Sequence, residues 1–253
     1  MENQPHPALH RPIHRFGLRT TLVAAGMLVA VVPLAELIVL ITTAWAPLHT
    51  LDLNIVHSLN RYAAHHPGQV RFFKIVSIIG GPTVLRIAAA LAVVLLWIRR
   101  RRSAAILVTV AIGGAAALSG IFKVLVNRGR PVVAVPVEHA DTASFPSGHA
   151  LTSFVAAGVL LIVLLPHRSR RRRALLITAA ALLVAAVGFS RLLLGVHYLS
   201  DILGSWLIGT ALLLILTGVF RRPNSAPPLS ARSPNPAAAR TAPPNRVNPR
   251  DND

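Results

Sequence analysis

Three short polar clusters interrupt the apolar runs of this chain, and each carries ionisable side chains at a spacing suited to chemistry on an anion. In the first, Lys123 stands inside an apolar run and Arg130-Pro131 follow after six residues. An ionisable group at that depth is costly to leave unpaired, so Lys123 is either functional or snorkels to the lipid head groups. In the second, Phe145-Pro146-Ser147-Gly148-His149 opens another apolar run. The first backbone N–H groups of a helix lack internal partners and its dipole favours an anion, so a phosphate can sit there. Gly148 lets the backbone approach closely, Ser147 can cap or donate its hydroxyl, and His149 can give up a proton near neutral pH. Taken alone, the same residues are simply a helix start.

In the third cluster Ser190-Arg191 precede His197 and Asp201. Two residues four apart share one helix face, so a carboxylate at 201 can hold one nitrogen of the imidazole at 197 while the other nitrogen faces a substrate. A metal-binding pair is the alternative, but the known metal motifs need a third or fourth ligand and none lies nearby. Gly195 is expected to break the helix and let Arg191 fold back toward the same point.

The elements that must position these clusters are membrane spans. Of the 253 residues 53% are apolar and 13% are charged, far from the balance of a protein dissolved in water. The net charge of +18 would suit nucleic acid, but the arginines gather at the ends of apolar runs (99–102, 170–173, 221–222) and form no polar face, which argues against that partner. Without cysteine there is no disulfide, thiolate metal site or cysteine nucleophile.

A transmembrane helix needs about 20 apolar residues. Six spans are expected, at 18–44, 83–98, 104–126, 147–165, 174–189 and 198–220, giving an all-α, polytopic membrane helix bundle. The first run follows a basic head (1–17) and resembles a signal peptide, but it is roughly twice as long as the apolar part of one, so it reads as a retained span. The mixed segment 45–81 holds a short amphipathic or interfacial helix at 72–79, and Gly80-Gly81-Pro82 marks a new start. Lysine and arginine accumulate on the cytoplasmic side. With six spans the head and every arginine block fall on one side, so both termini are expected in the cytoplasm and all three clusters at the extracytoplasmic end, in a plasma-membrane protein. The tail 221–253 is rich in Pro, Asn, Ala, Ser and Arg and is expected to be disordered, lying free or against anionic lipid.

Together the three clusters resemble the type 2 phosphatidic acid phosphatase superfamily, whose pattern is Lys-x6-Arg-Pro, Pro-Ser-Gly-His and Ser-Arg-x5-His-x3-Asp. Every specified position matches in the family's order: Lys123, Arg130 and Pro131; Pro146, Ser147, Gly148 and His149; Ser190, Arg191, His197 and Asp201. The motif region covers 123–201, within a six-span domain of 18–220.

The resemblance implies a membrane-embedded phosphatase that works without a metal or other cofactor. It implies that His197 attacks phosphorus to form a phosphohistidine, that Asp201 orients His197, and that His149 protonates the leaving group. It assigns phosphate binding to Lys123, Arg130, Ser147, Gly148 and Arg191, and leaves Pro131, Pro146 and Ser190 as structural parts of the motifs. The partner is then a lipid phosphate in the bilayer. Undecaprenyl diphosphate is the leading substrate, with phosphatidic acid and phosphatidylglycerol phosphate close behind. A phosphotransferase using another acceptor, and a non-catalytic lipid-binding or transport protein, are the competing functions. The sequence says nothing of oligomeric state.

Other polar residues make weaker claims. Glu36 and Arg86 lie at similar depth in their spans and either pair inside the bundle or reach the interface separately. Glu138, His139 and Asp141 belong to an exposed loop or touch a head group or cation. Gly113, Gly114, Ala117 and Gly120 suggest close helix packing in the third span.

Overall fold

A computed structural model of the protein describes residues 13–134, 138 and 142–220. The expected tail at 221–253, most of the basic head, and His139 and Asp141 lie outside the described residues. Among the described residues eight α-helices follow one another: α1 (Ile13–Thr42), α2 (Ala46–His65), α3 (Pro67–Ile79), α4 (Pro82–Ile98), α5 (Arg102–Val126), α6 (Gly148–Leu164), α7 (Arg170–Leu193) and α8 (Leu199–Phe220). No strand occurs among the described residues.

Helices α1, α4, α5, α6, α7 and α8 coincide with the six expected spans to within a few residues at most ends. Val23–Thr42, Pro67–Ile98, Arg102–Val126, Arg170–Leu193 and Leu199–Phe220 are long and apolar enough to cross a bilayer, and α6 is a shorter apolar helix of 17 residues. At 1.5 Å per residue α6 alone is about 25 Å long, and one tighter turn at Leu165–His167 extends it. Large apolar side chains such as Val29, Leu91, Ile98, Leu182 and Val219 are exposed around the bundle, as a lipid-facing surface requires. This is a multi-pass membrane protein.

The mixed segment 45–81 holds more structure than one interfacial helix. It forms both α2 and α3, each with a proline in its first turn, where the missing N–H costs nothing. Helix α8 lies at the centre, with α1, α2, α5 and α6 against it, while α6 also packs on α5 and α7. Leu107, Ala111, Ala115, Phe145, Leu151, Val155 and Ile208 form the core between them.

Of the glycines expected to pack closely in the third span, only Gly114 meets a neighbour, a Cβ there lying 3.4 Å from Leu212 of α8. Gly113, Ala117 and Gly120 of α5 face outward, and a Cβ at Gly113 or Gly120 would meet nothing within 4 Å. Tighter contacts occur at Gly80 between α3 and α4, Gly158 of α6 and Gly204 and Gly209 of α8, where an added Cβ would meet Val187 at 2.2 Å, Leu213 at 2.2 Å, Phe145 at 2.4 Å and Phe154 at 2.6 Å. Helix rotation decides which small residues meet a neighbour. Glu36 and Arg86 are both exposed and form no ion pair, because α1 packs chiefly on α8 and α4 chiefly on α5.

Alternating helix directions bring the C-terminal ends of α5 and α7, the N-terminal ends of α6 and α8 and the turn between α3 and α4 to one end of the bundle. The arginine blocks at 99–102 and 168–173 connect helices at the other end.

Candidate active site

Helix α5 ends because Asn127 adopts the left-handed conformation (φ 42°, ψ 43°), its N–H returning to the Lys123 carbonyl. Asparagine tolerates that conformation better than most residues. The turn sends residues 128–131 across the helix ends and leaves Lys123 in the last turn of α5. Lys123 Nζ donates to Thr142 Oγ1 at 2.8 Å and to the Ala143 carbonyl at 3.0 Å. Arg130 Nε donates to the Thr142 carbonyl at 2.8 Å, and its Nη1 donates to the Val196 carbonyl at 2.7 Å and lies 3.4 Å from His197 Nε2. Thus the two cations of the first cluster converge on one loop, and one of them reaches the imidazole of the third.

Ser147 caps α6, its hydroxyl accepting the Ala150 N–H at 3.4 Å. The same turn is tied to α8, because Ser205 Oγ donates to the Ser147 carbonyl at 3.1 Å and to the Asp201 carbonyl at 2.6 Å. Gly148 and His149 therefore begin a helix anchored to the element that carries Asp201. His149 packs against the α3–α4 turn, so that a Cβ at Gly81 would lie 3.1 Å from its Nε2 and 2.8 Å from the Ser77 carbonyl. Pro131 and Pro146 are buried beside these turns, and the Ser190 hydroxyl donates to the Val187 carbonyl inside α7.

His197 and Asp201 meet as expected, but not as two residues of one helix. Helix α7 ends at Leu193, Gly195 turns the chain at φ 72°, and His197 sits two residues before α8 begins. Asp201 occupies the third position of α8 and accepts the Tyr198 N–H at 3.0 Å, the returning half of a capping box. The same Oδ2 lies 3.3 Å from His197 Nδ1. Burial is the largest influence on His197 and pushes its pKa down; Asp201 opposes this, Arg130 and Arg191 add to it, and the outcome is about 4. The ring is neutral at pH 7, with Nδ1 on the carboxylate and Nε2 toward the arginine.

Arg191 remains in the last turn of α7, only 2% exposed, so it needs no helix break to reach the site. Its Nη1 donates to Ser77 Oγ of α3, and Nη1 and Nη2 reach the two oxygens of Glu138 at 3.0 and 2.9 Å. Glu138 is thus half-buried and paired, not a solvated loop residue. Burial pushes its carboxyl up, but the Arg191 hydrogen bonds and charge outweigh this and hold it below the usual range, with His149 and His197 adding to the effect.

All eleven residues singled out by the sequence belong to this end of the bundle. Asp52, Ser77 and Arg128 were missed. Asp52 and Ser77 lie in the segment read as mixed or interfacial, and Arg128 is an unspecified position inside the first cluster. A usable signal was the scarcity of acid: only eight Asp and Glu stand against 26 Lys and Arg, so a carboxylate in an expected outer segment is conspicuous.

A helical membrane bundle with this constellation at one end defines a class, and residues 104–225 match the PAP2 superfamily. Over 103 residues it is 31% identical to Phosphatidylglycerophosphatase B of Bacillus subtilis (strain 168), an alignment covering 40% of this chain and 50% of that protein. The matched part therefore spans about half the length of that curated relative. The fold is similar to the crystal structure of the first transmembrane PAP2 type phosphatidylglycerolphosphate phosphatase from Bacillus subtilis, with a TM-score of 0.66 at 22% identity, over 74% of this chain and 94% of that one. This is the transmembrane PAP2 fold.

Proposed function

We propose that this protein is a membrane lipid phosphatase that removes a terminal phosphate through a phosphohistidine at His197. The observation that carries the reading is the position of the His197 ring, with Nδ1 at 3.3 Å from Asp201 and Nε2 at 3.4 Å from Arg130. A neutral imidazole held in that way has its lone pair on Nε2, the nitrogen facing the cations that would bind phosphate.

In the first half-reaction the Nε2 lone pair forms a bond to phosphorus and the bond from phosphorus to the lipid oxygen breaks. His149 gives its proton to the departing oxygen. In the second, water attacks phosphorus and loses a proton to His149, the P–N bond breaks with its electrons returning to Nε2, and inorganic phosphate leaves. Lys123, Arg130 and Arg191, with the Ser147 hydroxyl and the Gly148 N–H, bind the phosphoryl oxygens as their charge redistributes. Asp201 stabilises the positive ring that forms on attack.

Phosphatidylglycerol phosphate is the first substrate to test, because the similar Bacillus subtilis proteins carry that activity in their names. Undecaprenyl diphosphate is the second. A cavity of about 260 Å³ beside Arg130, lined also by Leu48, His49, Arg128 and Tyr198, has room for the second phosphate of a diphosphate end. The arginine blocks at the opposite end favour an extracytoplasmic site, with residues 18–220 as the membrane domain and the head (1–17) and tail (221–253) in the cytoplasm.

The test is phosphate release by the detergent-purified protein and by His197→Ala, with chelator present, from phosphatidylglycerol phosphate, undecaprenyl diphosphate and phosphatidic acid. Release from one lipid that vanishes in the variant supports the proposal and names the substrate. Normal turnover by His197→Ala overturns the mechanism.

A further inference from the structure

Two charged residues outside the proposed phosphate-binding set stand behind the carboxylate that holds His197, Arg128 bonded to it directly and Asp52 through Arg128. Arg128, in the loop after α5, donates through Nη1 to Asp201 Oδ1 at 2.6 Å and through Nη2 to Asp52 Oδ2 at 2.8 Å. Its guanidinium lies over the Tyr198 ring, 4.1 Å from the centroid. Asp201 therefore divides its two oxygens, Oδ1 to Arg128 and Oδ2 to His197 and the Tyr198 N–H. Asp52, on α2, is fully buried. Its Oδ1 accepts the Ser200 N–H at 3.1 Å and its Oδ2 accepts the Ser200 hydroxyl, which in turn accepts from Arg128 Nη1 at 2.6 Å.

We infer that Asp52 and Arg128 are positioning residues that set how firmly Asp201 holds and polarises the His197 imidazole.

Two carboxylates brought into one buried site repel each other, and a shared guanidinium makes the arrangement tenable. A planar fork is suited to this, since it presents separate N–H groups to two carboxylates at once, which an ammonium on a flexible stem cannot do with the same geometry. By engaging Oδ1, Arg128 turns Oδ2 toward the ring and withdraws charge from it, so the Nδ1 proton stays on the imidazole. By taking the other side of Arg128, Asp52 keeps Asp201 from being fully neutralised. Asp52 also satisfies an N–H in the first turn of α8, where a negative charge is favoured by the helix dipole. The orientation of His197 thus depends on α2, 148 residues upstream of Ser200 in the chain.

The charged and titratable groups around His197 are Asp201 on α8, Arg191 on α7, His149 on α6, Lys123 on α5, and Arg130 and Glu138 in the loop, with Arg128 and Asp52 behind Asp201. None of the others bonds to the Asp201 carboxylate, so the effect of changing Arg128 or Asp52 reaches the ring through Asp201 and through space alone.

The catalytic consequence rests on the proposed nucleophile, but the electrostatic one does not, and the experiment reads both. Histidine-labelled full-length protein in detergent is titrated by NMR, with His197→Ala assigning the resonance, and kcat and KM are measured on the same samples. Arg128→Gln removes a positive charge behind Asp201, so the His197 midpoint rises by roughly one pH unit. Asp52→Asn keeps the shape and leaves Arg128 wholly to Asp201, so the midpoint falls, and kcat drops while KM holds. Should Arg128→Gln fail to fold, Asp52→Asn decides alone.

A fall in Asp52→Asn supports the inference. A rise in Asp52→Asn, as solvent entering a loosened site would produce, or a midpoint that does not move, overturns it. Full activity of His197→Ala would overturn the nucleophile while leaving these midpoints to be read.

Discussion

The Glu138 carboxylate grips the Arg191 guanidinium with two bonds, at 2.9 and 3.0 Å, in the geometry a phosphate would use. Since Arg191 is proposed to bind the substrate phosphate, the carboxylate stands as an internal competitor for that cation. The pair is part-exposed on the Glu138 side, at 31%, so screening tempers its strength.

Glu138→Gln removes the competing charge but keeps the size of the side chain. KM for the lipid phosphate and the inhibition constant of inorganic phosphate are expected to fall by roughly three- to tenfold, with kcat little changed. Steady-state kinetics with phosphate as a competitive inhibitor checks this, and an unchanged inhibition constant would mean that the carboxylate and the phosphate do not share Arg191.

His149→Ala is expected to lower kcat about 10²- to 10⁴-fold on a lipid substrate, the usual worth of a general acid. The loss should shrink on an aryl phosphate such as p-nitrophenyl phosphate, whose leaving oxygen needs no proton. Equal losses on both substrates would remove His149 from the proton-transfer role.

The buried His197 makes stability depend on pH. Its ordinary pKa is 6.5 and burial brings it to about 4 in the folded protein. Between those values the unfolded chain binds the proton and the folded one does not, so stability declines as pH falls from about 6.5 toward about 4. Thermal midpoints of wild type should decline over that window more steeply than those of His197→Ala. Turnover should fail as pH approaches 4, when the ring protonates and loses the lone pair proposed to attack phosphorus. Parallel slopes in the two proteins would place the pH sensitivity elsewhere.

Gly81 has no room for a side chain, since a Cβ there would lie 2.8 Å from the Ser77 carbonyl and 3.1 Å from His149 Nε2. The carbonyl cannot yield as a flexible side chain would, so Gly81→Ala must shift the turn against His149. A drop of roughly tenfold or more in kcat is expected from misplacement on this scale, with a smaller change in KM. Gly68→Ala, at a position where a Cβ would meet nothing within 4 Å, is the control and should keep full activity.

Most of the candidate site could be read directly from the chain, because its residues come in three local motifs. Lys123 to Pro131, Pro146 to His149 and Ser190 to Asp201 each occupy a few turns, so short-range spacing carries their chemistry. Six apolar runs, with arginine blocks at alternate connections, then place the motifs at one end of the bundle by counting alone. Length and composition of an apolar run decide that it spans. They do not decide how the helix is rotated, since a helix that is apolar all round has no face marked for its neighbours.

Rotation and long-range approach were settled only by tertiary packing. Glycines 80, 158, 204 and 209 are among those that meet neighbours closely, and 113 and 120 are not. Asp52 reaches Arg128 across 76 positions, and Arg191 reaches Ser77 across 114. No local pattern joins such residues. Each polar side chain is a lone charge or hydroxyl on its own element until the fold buries it, and burial then requires a partner that only the neighbouring helix can supply.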